Sequence, residues 1–245
     1  MKSRSILFAT TSALTIMALS FGFSRGNSTP VDPATFPAPA VDLASNDTHP
    51  SPQKIVLAGG CFWCTEAVFE NTPGVVDVVS GYAGGTPETA NYKDVSNGVS
   101  QHAEVIEVTF NPKEISVGKV LQIFFSIAHD PTTLNRQGPD SGAHYRSAIF
   151  FSDPEHARVA KAYIAQLDSA KVFESPIVTT VEPLEKFFAA EGYHQDYARL
   201  NPSQPYVRQQ ALPKVAKAQK YVPEILATTQ PATQPSTKPA IKPVE

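Results

Sequence analysis

The chain has 245 residues, 42% of them hydrophobic, a formal net charge of -3 and two cysteines. That length suits one domain with tails, and that composition fills a single core. The mild negative charge and the scatter of the basic residues exclude an electrostatic case for nucleic acid, and two cysteines are too few for a secreted scaffold held by disulfides.

Lys2 and Arg4 precede an uncharged, apolar or small-residue run from Ile6 to Phe23. This reads as a signal peptide over residues 1–24, cut near Ser20 or Ser24. The run is also about long enough to stay uncut as a membrane anchor, which needs roughly 18–20 residues. Either way the domain is exported, to a periplasmic or other extracytoplasmic space. Residues 25–52 are rich in Pro, Ser, Asn and Asp and read as a disordered linker. At the other end, Pro231, Pro235, Pro239 and Pro243 recur every four residues, so 227–245 reads as an extended Pro-rich tail. The folded domain is expected over 53–226.

Inside the domain, Lys54 to Ala58 is a short apolar strand closed by Gly59-Gly60, and Cys61 to Asn71 is a helix stopped by Pro73-Gly74. Val75 to Tyr82 is a Val-rich strand. Glu104 to Phe110 alternates, with Ile106, Val108 and Phe110 on one face. Ser116 caps a helix with apolar residues at 117, 120, 121, 124, 125 and 128. Ser147 to Phe151 is a strand, Ser152 and Glu155 form a capping box for a helix through about Ala170, and Ile177 to Val181 is a further strand. The first six elements spell β-α-β-β-α-β. That predicts an α+β fold of ferredoxin-like, split-βαβ type: two layers, helices on one face of a mixed sheet, with an added helix and strand. The stretch 83–103 and everything after Pro183 read as loop-rich, and long loops in a compact domain are usually functional.

The chemistry concentrates at Gly59-Gly60-Cys61-Phe62-Trp63-Cys64-Thr65-Glu66, where a strand gives way to a helix. Free N–H groups and the helix dipole at that position favour a thiolate, the nucleophilic form of cysteine. Cys61 is therefore the candidate nucleophile. Cys64 lies one helical turn on, with Cβ atoms roughly 5–6 Å apart; a small adjustment brings the pair within disulfide reach. Phe62 and Trp63 flank the nucleophile and suit an apolar wall. Two cysteines without distant histidine partners do not make a four-ligand zinc site.

These residues, with Gly81-Tyr82-Ala83-Gly84-Gly85, Asn91-Tyr92, His102-Ala103-Glu104, His129-Asp130-Pro131, Gln137-Gly138-Pro139-Asp140, Tyr145-Arg146-Ser147 and Tyr193-His194-Gln195-Asp196-Tyr197, occur in the order of the peptide methionine sulfoxide reductase A family. The resemblance covers about 54–206. It implies reduction of the S epimer of methionine sulfoxide, free or in proteins, through a sulfenic acid on Cys61. It also implies roles: Phe62 and Trp63 hold the substrate methyl group, Glu104 protonates the sulfoxide oxygen, Tyr92 and Tyr145 bind that oxygen, and Asp140 supports the site. His102, His129 and His194 read as structural hydrogen-bonding groups. Many relatives carry Gly where Cys64 stands and place a recycling cysteine near the C-terminus. Here Cys64 is the expected resolving thiol. No metal or organic cofactor is implied; electrons come from a thioredoxin-like protein or a dithiol, and the protein is expected to act as a monomer. The competing readings are a thioredoxin-like disulfide exchanger, disfavoured because Phe-Trp lies between the cysteines, and an exported module that binds exposed methionine without needing Cys61.

Overall fold

The computed structural model describes residues 31–43 and 52–227. The signal segment 1–24, the remainder of the linker and the tail beyond Ala227 lie outside the described residues.

The chain enters as strand β1 (Gln53–Gly59), helix α1 (Phe62–Glu70), strand β2 (Val75–Ala83), helix α2 (Tyr92–Ser96), strand β3 (Ala103–Phe110) and helix α3 (Val117–Ile123). A small hairpin follows, β4 (Arg136–Gln137) and β5 (Asp140–Ser141), then strand β6 (Ser147–Phe151) and helix α4 (Pro154–Ser169). The last part holds β7 (Thr180–Pro183), β8 (Phe187–Ala189), α5 (Tyr197–Leu200) and α6 (Leu212–Ala227). Six strands make one mixed sheet in the order β7-β6-β1-β3-β2-β8, antiparallel except for β6 with β7. The fold is α+β, as expected.

Both faces of the sheet are covered. Period-two alternation sends Ile55, Leu57, Ile106, Val108, Phe110 and Ile149 to the helical side, where they pack with Val68, Phe69, Val120, Phe124 and Tyr163. The other residues of the same strands, Val56, Ala58, Val105, Ala148 and Phe150, form a thinner layer under Leu184 and Phe187. Glu104 shares the parity of Ile106 and so points to the helical side, opposite Tyr82 on β2.

Four expectations need correction. Residues 31–43, read as linker, are docked on the domain: Phe36 is buried edge-on against Phe173, its carbonyl accepts from Gln122 Nε2, and Asp42 holds Ser116 Oγ and the Gly118 N–H. One aromatic anchor and a row of polar ties, with Gln166 and Tyr163 also bonded to the segment's backbone, outweigh a composition that otherwise favours disorder. Helix α4 is capped by Asp153, which accepts from Glu155 N, rather than by Ser152, because Pro154 fits the first helical position. The strand expected at Ile177 to Val181 starts at Thr180, since Ile177 N and Val178 N are engaged by Asp168 and Pro131 instead. Finally, the two stretches read as loop-rich carry regular elements: 83–103 holds α2, which Asn91 caps by accepting from Asp94 N, and the region after Pro183 is not mainly loop. It carries β8, α5 and a wide turn, Val207–Ala211, that runs into α6. Val207, Ala211, Ala218, Val222 and Ile225 are its buried stripe, a helical spacing hidden by Pro213 and Pro223.

Candidate active site

The turn from β1 into α1 sets the site. Gly60 takes φ +87, and a Cβ there would lie 2.5 Å from the Gln137 side chain, so only glycine fits this left-handed, crowded position. Cys61 becomes the residue flanking the helix start, and its carbonyl accepts the Cys64 N–H at 3.1 Å. The first helical amide, Phe62 N–H, donates to Glu104 Oε2 at 3.1 Å. This bond ties the acid on β3 to the residue next to the nucleophile.

Glu104 is 2% exposed. Burial, aided by the negative field of Asp140 and Cys64, pushes its carboxyl up to about 8, against the pull of the Phe62 amide. It is therefore an acid holding its proton at neutral pH. Tyr92, at the start of α2, and Tyr145, in the turn Ala143–Tyr145 before β6, both lie within the field that Cys61 and Glu104 exert when they ionise. Burial first, then those charges, raises both phenols, so they remain hydroxyl donors.

Aromatic rings wall the site. Phe62 is buried between Tyr82 and His194, with centroids 5.9 and 5.0 Å away. Trp63 is half-buried, stacks on Tyr197 at 3.7 Å, meets the edge of Tyr206, and donates its indole N–H to His194 Nδ1 at 3.1 Å. Tyr92 lies 4.4 Å from the same imidazole. Glu191 closes the ring by accepting from Tyr82 Oη at 2.8 Å and Tyr92 N at 2.9 Å.

Both cysteines are free thiols. They line a small cavity of about 50 Å³ with Gln137, Gly138, Asp140, Tyr206, Gln210 and Lys214. A larger hollow of about 470 Å³, bordered by Glu70, Asp196 and Arg199, touches neither cysteine. Tyr206 Oη donates to Asp140 Oδ2 and lies 3.9 Å from Cys64 Sγ. The expectation of a ready thiolate at Cys61 is reversed in this resting state. Burial pushes the Cys61 thiol up, and its hydrogen bond to Cys64 and the nearby Glu104 add to this. The helix amide that would favour a thiolate there is occupied by Glu104. The same Cys61–Cys64 hydrogen bond, together with Lys214 and Tyr206, brings Cys64 down to about 7 against burial.

The structure thus gathers Cys61, Cys64, Phe62, Trp63, Tyr92, Glu104, Asp140 and Tyr145 in one place. His102, His129 and His194 are buried hydrogen-bonding groups: His102 Nε2 meets Thr86 O, and His129 bridges Phe124 O and Ser147 Oγ. Sequence reasoning missed Tyr206, Lys214 and Glu191, and it quoted Gln137 in a motif without giving it a role. Tyr206 and Lys214 lie on the helical segment read as loop, and nothing local marks Glu191. Among the described residues no cluster of His, Cys, Asp and Glu is arranged to hold a metal.

A thiol at a helix start, a second thiol one turn on and a protonated acid beside them define a thiol-dependent oxidoreductase site. Comparison with known proteins narrows this. Residues 53–225 match the family model "Peptide methionine sulfoxide reductase". Over 182 residues the chain is 50% identical to "Peptide methionine sulfoxide reductase MsrA 2" of Synechocystis, covering 74% of this chain and 85% of that protein. It is 47% identical to "Peptide methionine sulfoxide reductase MsrA" of Deinococcus radiodurans over 179 residues, 72% and 86% of the two chains. Among solved structures, reduced Mxr1 from Saccharomyces cerevisiae superposes with a TM-score of 0.58 at 38% identity, covering 63% of this chain and 88% of that one. Methionine sulfoxide reductase A of Corynebacterium diphtheriae gives 0.53 at 33%, covering 63% and 77%. The chain belongs to the peptide methionine sulfoxide reductase A family.

Proposed function

We propose that this chain reduces the S epimer of methionine sulfoxide in oxidised proteins, and the free amino acid, with Cys61 as nucleophile and Glu104 as proton donor. The reaction is the family's, a repair of oxidised methionine. The observation that supports these assignments is the Phe62 N–H···Glu104 bond, which puts a buried, protonated carboxyl beside the thiol and under the Phe62–Trp63 wall.

In this reading the substrate methyl group sits against Phe62 and Trp63, and its oxygen faces Tyr92, Tyr145 and Glu104. Two fixed hydroxyls select one configuration at sulfur. Asp140 acts through Tyr206, whose hydroxyl it accepts. Glu104 protonates the sulfoxide oxygen and its carboxylate takes up the Cys61 proton, so the raised thiol is deprotonated only when substrate is present. The Cys61 sulfur attacks the sulfoxide sulfur, and the hydroxyl passes to Cys61. Methionine leaves as a thioether, reduced by the two electrons that Cys61 has lost in becoming a sulfenic acid. Cys64 resolves it to a Cys61–Cys64 disulfide, which a thioredoxin-like protein or a dithiol reduces.

The central strands in the order β6-β1-β3-β2, with α1 and α3 on one side, support a ferredoxin-like description of the core. The apolar run before Phe23 supports export, placing repair and its reductant outside the cytoplasm, and the enzyme acts as a monomer. No helix among the described residues is long and apolar enough to cross a membrane.

The test is turnover of dabsyl-methionine sulfoxide. Wild-type protein consumes it with dithiothreitol, and Cys61→Ser does not. Cys64→Ser completes one turnover but fails to cycle with thioredoxin. Activity without Cys61 would refute the nucleophile, and unchanged thioredoxin-driven cycling without Cys64 would refute the resolver.

A further inference from the structure

Recycling requires a thiolate at Cys64, and its surroundings show what supplies one. The groups facing its sulfur are Cys61, Tyr206, Asp140, Glu104 and Lys214, from α1, the segment before α6, β5, β3 and α6. Asp140 is acidic and works against a second negative charge. Glu104 holds its proton when buried and opposes a thiolate when it does not. Among the residues lining the cavity, Lys214 alone is a cation.

Its position is fixed by the fold. Helix α3 widens at its end, where Phe124–Ala128 form a π turn. Such a turn leaves carbonyls without intrahelical partners. Lys214 Nζ caps Ala128 O at 2.6 Å, and Lys217 Nζ meets Ser126 O at 3.4 Å. A helix carboxyl end favours a cation, and the bond to Ala128 O keeps Lys214 Nζ at the cavity wall.

We propose that Lys214 is a positioning residue for recycling: its fixed ammonium holds Cys64 as the thiolate that closes the Cys61–Cys64 disulfide. This rests on Cys64 as the resolver. The step balances. The Cys64 thiolate attacks the sulfur of the Cys61 sulfenic acid, the S–S bond forms, the S–O bond breaks, and hydroxide leaves with the proton that Cys64 gave up, as water. Cys64 is oxidised and Cys61 is reduced to the disulfide level. Lys214 transfers nothing; it sets the fraction of Cys64 ready to attack. The lowered titration of Cys64, to which Lys214 contributes after the Cys61 hydrogen bond, agrees with this.

The test titrates Cys64 alone, by thiolate ultraviolet absorbance, in Cys61→Ser protein with Lys214 intact, changed to Met, or changed to Arg. Removing an opposite charge at short range raises a thiol by about one pH unit or more. Lys214→Met should move the Cys64 midpoint up by about that amount, and Lys214→Arg should leave it near its original place. In the Cys61-containing proteins, Lys214→Met should slow disulfide closure about tenfold near neutral pH, with the loss regained at higher pH. The Arg variant also guards against a packing effect, because a merely structural lysine would not restore a titration. An unmoved Cys64 midpoint in the Met variant, with the Cys61–Cys64 link present in oxidised wild-type protein, overturns the role of Lys214 alone. Peptide mapping that finds no such link overturns the resolver and this proposal together.

Discussion

In the proposed reaction Glu104 is the proton donor, because burial makes a carboxylic acid out of what would be a carboxylate. Removing the transferable proton while keeping the shape, as in Glu104→Gln, should lower the rate of the first turnover by roughly 10²- to 10⁴-fold. The pH dependence follows with a definite sign. The acid holds its proton below about 8 and loses it above, so first-turnover rates should fall as pH rises past 8, and that descending limb should vanish in the Gln variant. Rapid-quench measurement of methionine formed across pH 6 to 10 checks both statements; a Gln variant within tenfold of wild type would remove Glu104 from the acid's role. At this scale the sequence was informative. Cys61, Phe62 and Trp63 were legible from the turn into α1, Tyr92, Glu104, Asp140 and Tyr145 only through the family resemblance, and all seven converge. The protonation of Cys61 was not legible. Helix position argues for a thiolate, and only the packed neighbours reveal that burial, followed by the Cys64 hydrogen bond, dominates.

Elements decide how accurately those residues meet. The β1–α1 turn allows one residue type at position 60: alanine would be left-handed at φ +87 and would press on Gln137 Cβ at 2.5 Å. Gly60→Ala should therefore cost at least roughly 1–2 kcal/mol of stability and disturb the Cys61 turn, read as a lower urea midpoint together with lost activity. An unaltered midpoint would show that the turn has room. Residues 31–43 give a second case. Phe36 is 4% exposed and packs on Phe173, so Phe36→Ala should cost about 3–5 kcal/mol, visible in denaturant unfolding, while the residues of the site keep their places. A change below about 0.5 kcal/mol would show the segment to be a passive strap. Composition misled here because Pro- and Ser-rich sequence describes the average of a segment, whereas docking depends on one phenylalanine and a few hydrogen bonds. The α6 region misled for a related reason: two prolines argue against a helix, yet Pro213 sits in the first turn and the buried stripe from Val207 to Ile225 compensates for Pro223.

For the molecule as a whole, several buried groups titrate away from their free values and bias stability with pH. Glu66 is raised by burial to about 7 and Glu104 to about 8, from the ordinary 4.5. The native state keeps protons there that the unfolded chain releases, so stability drops as pH rises from about 4.5 through 7 and 8. His129 works in the opposite range. Burial lowers it from 6.5 to about 3, the unfolded chain binds a proton first, and stability is lost as pH falls from 6.5 toward 3. The two trends leave a maximum between about pH 4.5 and 6.5. Thermal unfolding should therefore show a falling Tm from pH 6.5 to 8.5, and Glu66→Gln should flatten part of that decline. A Tm that climbs over the same interval would contradict the burial of these acids.

The amino-acid sequence by itself determined the main strands and helices of the core through Phe151 and the family, because these depend on local periodicity and on short motifs in a fixed order along the chain. Only the tertiary structure decided that burial pushes the Cys61 thiol up while its neighbours bring Cys64 down, that Tyr206 and Lys214 belong to the cysteine cavity, and that residues 31–43 are part of the folded body. Those properties arise from groups far apart in sequence brought into one desolvated space. There, burial and neighbouring charges set protonation, and no pattern along the chain encodes that sum.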